Sequence, residues 1–354
     1  MSKIYKVGII GFGSMATCHY KEMVEYTNVR VQPVGVYDIN EKRMEYARSL
    51  GMKTYSSREE MLSDPEIDIV LVATTNDAHK DNCIAALEAG KHCICEKPVT
   101  LSSDELREII AVAERTGKIF TIDHNRRTNH DFLAVKKAYD EHMLGDIYRI
   151  ESRTEGSRGM PRGWRTVKKL GGGMMLDWGV HLIDQLLYLI DSKVVSVYAD
   201  LYTVDKVEVD DNCRMDMTFA NGIKARVEVE TNNYIKLPRW YVLGKEGTLR
   251  IKDWGEECEV VRAKESDSKW EEDVVMTKAG PTKTMAPRRP ETVESFIIPE
   301  SEQLDKLIVV YEQFVAAIEG APLKVTPQQA LRTALVMEAA FKSSETGEVI
   351  KTDI

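Results

Sequence analysis

Tyr5-Lys-Val-Gly-Ile-Ile-Gly11-Phe12-Gly13-Ser14-Met15-Ala16, the stretch YKVGIIGFGSMA at residues 5–16, runs a short apolar segment straight into G-x-G-x-x-A. Residues 5–10 have the composition of a strand and residues 14–26 that of a helix, which is the setting this fingerprint needs. Gly11 permits the tight turn, Gly13 lets backbone approach a pyrophosphate, and Ala16 lets helix and strand pack closely. The helix N-terminus adds amide donors and the positive end of a dipole. Gly11, Phe12, Gly13, Ser14 and Met15 are therefore the expected phosphate loop of a dinucleotide site.

A second strand, residues 31–37, ends in Asp38. A carboxylate there accepts hydrogen bonds from the adenosine ribose hydroxyls and repels a 2′-phosphate, so NAD is the preferred cofactor. Arg43 nearby keeps NADP open, and a helix N-cap is the other reading of Asp38. Helices at 41–50, 57–63, 78–89 and 102–116 then alternate with strands at 52–55, 67–73, 92–95 and 118–123. IDIVLVA and KIFTI are near-continuous apolar runs, as in a parallel sheet covered on both faces. The expectation is α/β for residues 1–124, an N-terminal Rossmann doubly wound parallel sheet.

In such a sheet ligands sit at the carboxyl ends of the strands. Thr74, Asn76 and His79 follow one strand, Glu96 and Lys97 the next, and Asn125, Arg126 and Arg127 the last. Thr74, Asn76, His79, Glu96, Lys97 and Asn125 are expected beside the cofactor. Pro98 stiffens the chain after Lys97. A lysine at that strand end can place positive charge beside a substrate hydroxyl and favour the alkoxide that hydride departure needs.

The chain of 354 residues suits two domains. Its net charge of −9 argues against a nucleic-acid or anionic-membrane partner. Six cysteines show no CxxC and no disulfide framework, and no signal peptide or long apolar span is present. The expectation is a cytoplasmic protein with reduced thiols and no metal.

Residues 125–354 read as an α+β domain with an open, mostly antiparallel sheet and helices on one face. Strands are expected at 147–155, 193–204, 208–219, 223–233, 239–244 and 248–252, with turns at Asn221-Gly222 and Glu246-Gly247. Residues 262–300 read as a long excursion. Helices at 303–319 and 327–346 close the chain and are free to pack back on the first domain. The alternation in KARVEVET leaves one sheet face polar or paired, which points to a homodimer or homotetramer through this sheet.

Before those strands, Gly163-Trp164-Arg165 leads into GGGMMLDWGVHLID at residues 171–184. Asp177 and His181 lie four apart in what reads as one helix, stacked on one face, with Asp184 and Tyr188 continuing the file. The rest of the segment is apolar, and a buried Asp or His is costly unless paired or used. An intrahelical ion pair and a reactive pair both meet that condition.

GIIGFGSMA, Glu96-Lys97-Pro98 and the GGG-x3-Asp177-x-G-x-His181-x2-Asp184 segment, in this order and spacing, resemble the Gfo/Idh/MocA oxidoreductase family. The resemblance implies an NAD(P)-dependent dehydrogenase acting on CH-OH groups, with Lys97, Asp177 and His181 as the catalytic set. It also implies a sugar, cyclitol or glycoside substrate. His181 is the preferred general base, Asp177 orients it or holds a hydroxyl, and Lys97 stabilises the alkoxide. Arg126, Arg127, Trp164 and Arg165 are expected to contact substrate along with Asp177 and His181, with structural salt bridges explaining the arginines about as well, and Tyr234 and Lys236 are weaker candidates. Thr128 stands where the family often has an aromatic, and Trp178 where it commonly has a smaller or aliphatic residue. Two alternatives share the architecture, an NAD-dependent glycosidase working by transient sugar oxidation and a non-catalytic NAD-binding regulator. A metal site on Asp177 and His181 lacks an obvious third ligand.

Overall fold

The computed structural model describes residues 3–264, 274–283, 288 and 290–354. The first sheet holds strands β1 (Tyr5–Ile10), β2 (Val31–Tyr37), β3 (Lys53–Thr54), β4 (Ile69–Val72), β5 (His92–Cys95) and β6 (Phe120–Ile122). They pair in parallel in the order β3-β2-β1-β4-β5-β6. The order reverses between β1 and β4, and this is where a doubly wound sheet opens a crevice. Ile69 to Val72 are all buried, and separate apolar clusters cover the two faces of the sheet. That explains why these strands read as unbroken apolar runs.

The second sheet holds nine strands among the described residues: β7 (Ile147–Glu155), β8 (Val194–Tyr202), β9 (Asn212–Phe219), β10 (Lys224–Glu230), β11 (Trp240–Gly244), β12 (Gly247–Ile251), β13 (Cys258–Ala263), β16 (Val293–Ile298) and β17 (Ile350–Lys351). A separate hairpin is formed by β14 (Val275–Thr277) and β15 (Gly280–Thr282). The sheet order is β16-β13-β12-β11-β7-β10-β9-β8-β17, antiparallel except for the β7–β10 pair. In β10 the residues Ala225, Val227 and Val229 are buried while their neighbours are not, so one face packs on helices and the other stays polar.

The excursion expected over 262–300 is corrected in part. Residues 265–273, 284–287 and 289 lie outside the described residues, while β13 and β16 extend the sheet. Their half-exposed, charge-bearing sequences at the sheet edge lack the apolar run that marks a central strand.

The central segment also differs from one continuous α-helix. Met175–Gly179 forms a π-turn, and only Val180–Leu189 is α-helical. A wider turn changes the angular step between residues, so Asp177 leaves the file of His181. The intrahelical ion pair does not form, because both Asp177 oxygens are taken elsewhere. Asp184 and Tyr188 stay on one face of that α-helix: Arg127 pairs with the buried Asp184 carboxylate and lies over the Tyr188 ring, 4.4 Å from its centroid.

Both closing helices pack back on the first domain, and the second also reaches the other sheet. Ile308–Ile318, shorter than the expected 303–319, buries Tyr311, Phe314 and Val315 in the same cluster as Val7 and Ile9. Pro327–Thr346 starts with a capping box, in which Thr326 accepts from Gln329 N and Pro327 occupies the first turn. Its Ala330 joins the first sheet's core, and its Val336, Met337 and Ala340 join the second.

Arg127 belongs to this scaffold and not to a binding surface. From the turn Asn125–Thr128 it donates Nε and Nη2 to Asp184 at 2.7 and 2.6 Å, and Nη1 to Gln329 Oε1 at 2.9 Å. Arg127 and Asp184 are both buried, so the substrate contact expected of Arg127 is replaced by a structural pair. Removing one member of a buried pair strands the other charge, at a cost of about 3–5 kcal/mol. Arg127→Met should lower the unfolding free energy by that order in a denaturant titration, and Arg127→Met/Asp184→Leu should recover much of the loss.

Candidate functional site

At the crevice between β1 and β4 lies a cleft of about 610 Å³ lined by Gly11, Gly13, Ser14, Met15, Asp38 and Thr74. Gly11 adopts φ +84°, and a Cβ there would meet Ala73 O at 2.7 Å, so only glycine fits. Gly13 has open space where a Cβ would stand. It is also the N-cap of helix Ser14–Glu25, and no side chain caps that end, which leaves first-turn amides available to an anion. The Asp38 carboxylate is fixed at the end of β2 by Phe12 N at 2.6 Å and Asn40 N at 2.7 Å. These features fit a dinucleotide: the Gly11–Met15 backbone for the pyrophosphate and Asp38 for the ribose. Arg43 and Arg58 also line the cleft, and the sequence reading had not singled out Arg58.

Several expected cofactor residues serve other purposes. The Phe12 ring is fully buried against Tyr20 and Tyr46, so only its backbone belongs to the loop. His79 is buried with Nδ1 2.9 Å from Pro98 O and Nε2 3.3 Å from Thr74 O. Burial pushes its pKa down, and the side chain braces two loops. Asn76 donates to Gly171 O at 2.7 Å, tying the end of β4 to the triple glycine. Glu96 turns beneath the cleft toward His19. Asn125 keeps a buried Oδ1 without a protein partner.

Trp164 and Arg165, on the short turn Trp164–Thr166, form the far lip of the cleft. Arg165 lies over the Trp164 ring, 4.6 Å from its centroid, and donates Nε to Asp177 Oδ2 at 2.8 Å. Lys97, at the end of β5, donates Nζ to Asp177 Oδ1 at 3.0 Å and to Asp177 O at 2.8 Å. Burial pushes the Asp177 carboxyl up, but Lys97 and Arg165 outweigh it and hold it below the usual range. Two cations fill the positions a metal on Asp177 would take.

His181 is buried one turn beyond, with Nδ1 unpartnered. Burial, then Lys97, Arg126, His124 and Arg239, hold its pKa well below the ordinary value, so the ring is neutral near neutral pH. Its edge meets Trp178 at a centroid distance of 5.9 Å. The Arg126 guanidinium lies against both Trp178 and Trp254, 5.0 and 5.2 Å from their centroids, and its buried Nε has no partner. Trp254, on the β12–β13 loop, was not legible as a site residue. Tyr234 stands 83% exposed and Lys236 pairs with Asp253, so neither joins this group.

Fold and cleft together define a dinucleotide-binding protein of the oxidoreductase kind. A family description, "Oxidoreductase family, NAD-binding Rossmann fold", matches residues 5–124, and "GFO/IDH/MocA C-terminal domain" matches residues 132–250. The chain belongs to the GFO/IDH/MocA oxidoreductase family. It is similar to a solved NAD-binding protein from Listeria innocua, 40% identical with a TM-score of 0.93, covering 99% of this chain and 100% of that one. It is 25% identical to a scyllo-inositol 2-dehydrogenase (NADP(+)) of Bacillus subtilis, over 96% of this chain and 94% of that protein. An uncharacterized oxidoreductase of Escherichia coli is 32% identical over 57% of this chain, and the match spans 58% of that relative. Among the described residues no helix is long and apolar enough to cross a membrane.

Asp210 props the turn that carries Asp177. Its backbone O accepts from Met174 N at 2.9 Å, and its Oδ2 accepts from Met175 N at 2.6 Å. Burial raises its carboxyl to about 7. Between 3.8 and about 7 the native protein therefore keeps a proton that the unfolded chain has released, and stability falls as pH rises through that window. Asp210→Asn should remove this component. The melting-temperature difference between variant and native protein, followed from pH 4 to pH 8, should move in the variant's favour as pH rises.

Proposed function

We propose that the protein is an NAD(P)-dependent dehydrogenase that moves a hydride between a secondary hydroxyl of a sugar or cyclitol and the nicotinamide, with NAD preferred. The observation that carries this is the convergence of Lys97, Asp177 and a buried, unpartnered His181 beyond the Arg165 lip of the dinucleotide cleft. A bound nicotinamide would supply the hydride acceptor at that lip. A neutral imidazole is the state a general base requires, and the His181 ring, held well below its ordinary pKa with no acid against it, is in that state for a substrate hydroxyl. The Lys97 ammonium stands ready to steady the oxygen as negative charge develops on it. Asp177, shared between Lys97 and Arg165, aims the lysine and offers a charged acceptor to a neighbouring hydroxyl. Trp178 provides an apolar face beside His181, suited to the C–H surface of a ring.

The preference for NAD rests on Asp38, whose charge opposes a 2′-phosphate. Arg43 and Arg58 in the same cleft make this a matter of degree. The similarity to a scyllo-inositol dehydrogenase supports the polyol class. The polar outer face of β8–β10, with Arg226 paired to Asp216 and Tyr198 and Tyr202 partly exposed, is the surface we assign to a second copy of this chain.

The test is reduced-nicotinamide absorbance with purified protein, NAD or NADP, and a panel of inositols, aldoses and glycosides. One polyol should give reduction faster with NAD, and Lys97→Ala and His181→Ala should each lower kcat by about 10²–10⁴. Release of an aglycone without net reduction would replace this reading with the glycosidase. Silence with nucleotide still bound would replace it with the regulator.

A further inference from the structure

His19 is the one buried titratable side chain on helix Ser14–Glu25, in the same inward file as Ala16 and Met23. Its Nε2 lies 2.8 Å from Glu96 Oε1, at the end of β5, and 3.3 Å from Asp123 Oδ2, just after β6. Its Nδ1 lies 3.0 Å from Tyr311 OH on helix Ile308–Ile318. Both carboxylates are buried, and Asp123 has no hydrogen-bond donor other than this ion-pair contact. Glu96 Oε2 in turn accepts from Lys97 N at 3.2 Å. A continuous chain of contacts thus runs from the phosphate-loop helix through His19 and Glu96 to Lys97, and from Lys97 Nζ to Asp177.

We propose that His19, as an imidazolium, is a positioning residue for Lys97: it clamps Glu96 and Asp123 together behind the lysine and cancels one of their two charges. The argument is one of charge. Two carboxylates this deeply buried repel each other and are costly without a shared cation, and His19 is the cation within bonding reach of both. Burial works against its protonation, but Asp123 and Glu96 overcome that and raise its pKa to about 10. Asp123 is held up by burial, while Glu96 is held below the ordinary value despite burial because it takes the shorter bond from His19. One net negative charge therefore stands behind Lys97. The other groups acting on this neighbourhood are Asp177 in front of the lysine, with His181 and His124 both held neutral, and Tyr311 behind His19.

The inference rests on Lys97 as a reacting group, yet it is read without turnover. The pH at which Lys97 becomes reactive is followed by pulse labelling with an amine-acylating reagent and peptide mass spectrometry on the nucleotide-free protein. His19, raised to about 10, is still charged over the lower part of a lysine's titration, so His19→Gln, which leaves both carboxylates ionised there, should raise the Lys97 midpoint by up to roughly half a unit. His19→Gln/Asp123→Asn restores a single negative charge and should bring the midpoint back. Asp123→Asn alone should lower it, and this variant carries the test if His19→Gln fails to fold. A midpoint unmoved in His19→Gln, or not restored by the second substitution, would overturn the proposal and leave His19 as a packing residue. If the shifts occur and no polyol is oxidised, the coupling stands and only the dehydrogenase reading falls.

Discussion

The contact of Lys97 with Asp177 is the constraint on which the site depends, because its two members come from different halves of the chain. Lys97 ends a strand of the parallel sheet, and Asp177 sits on the π-turn before the helix that packs under the second sheet. Neither half alone places both. The Arg127–Asp184 pair and the helix Pro327–Thr346 fix one half against the other with buried contacts on both sides. Since interactions across such a joint are sensitive to shifts of an ångström, the scaffold's stiffness is part of the chemistry. The π-turn matters for the same reason. It turns Asp177 away from His181, so that the carboxylate meets two cations and the imidazole is left free.

Three buried histidines show how environment alone sets their state. His19 lies between two carboxylates and is driven to about 10. His124, near Asp184, is nonetheless pushed down to about 4 by burial, because Arg127 already holds that carboxylate. His181 has no acid of its own; burial, then Lys97 and Arg126, hold it well below the ordinary value. The same side chain therefore acts as a structural cation behind the lysine and as a neutral acceptor in front of it. A substitution that moved one carboxylate across this boundary would disturb both roles at once.

The glycine turn after β1 and the strand-end positions of Asp38 and Lys97 were legible in the sequence because each depends on local rules: glycine conformational freedom, strand polarity, and the one direction in which a parallel sheet opens. What the Phe12 and His79 side chains do was not legible, for the converse reason. Sequence places them at the cleft, but only tertiary packing decides that the Phe12 ring faces Tyr20 and the His79 ring faces Pro98 O. His19 left a trace that was readable: a polar residue inside the Ala16–Met23 apolar file of an otherwise simple helix. Trp254 left none, since the loop DWGEE looks like any acidic turn until β12 and β13 bring it beside Arg126. The π-turn was also hidden, because the residues Met175–Gly179 have no composition that separates them from an α-helix.

The arrangement divides labour along the same lines. Lys97 and Asp177 hold each other through charge, with the neutral His181 ring one turn beyond them. The wall beside them is composite: Arg126 comes from the loop after β6, Trp178 from the π-turn and Trp254 from the edge of the second sheet. Trp254 is itself clamped on its other side by Arg239, which pairs with Asp131. Each member of this stack rests on a different element, so a change in one alters the shape facing His181 without displacing Lys97 or Asp177. On the proposed dehydrogenase reading, the residues that would lie against the ring face of a substrate are in this way separated from those that would move its proton. The Trp178 indole, in contact with both His181 and Arg126, is the point where the two sets meet.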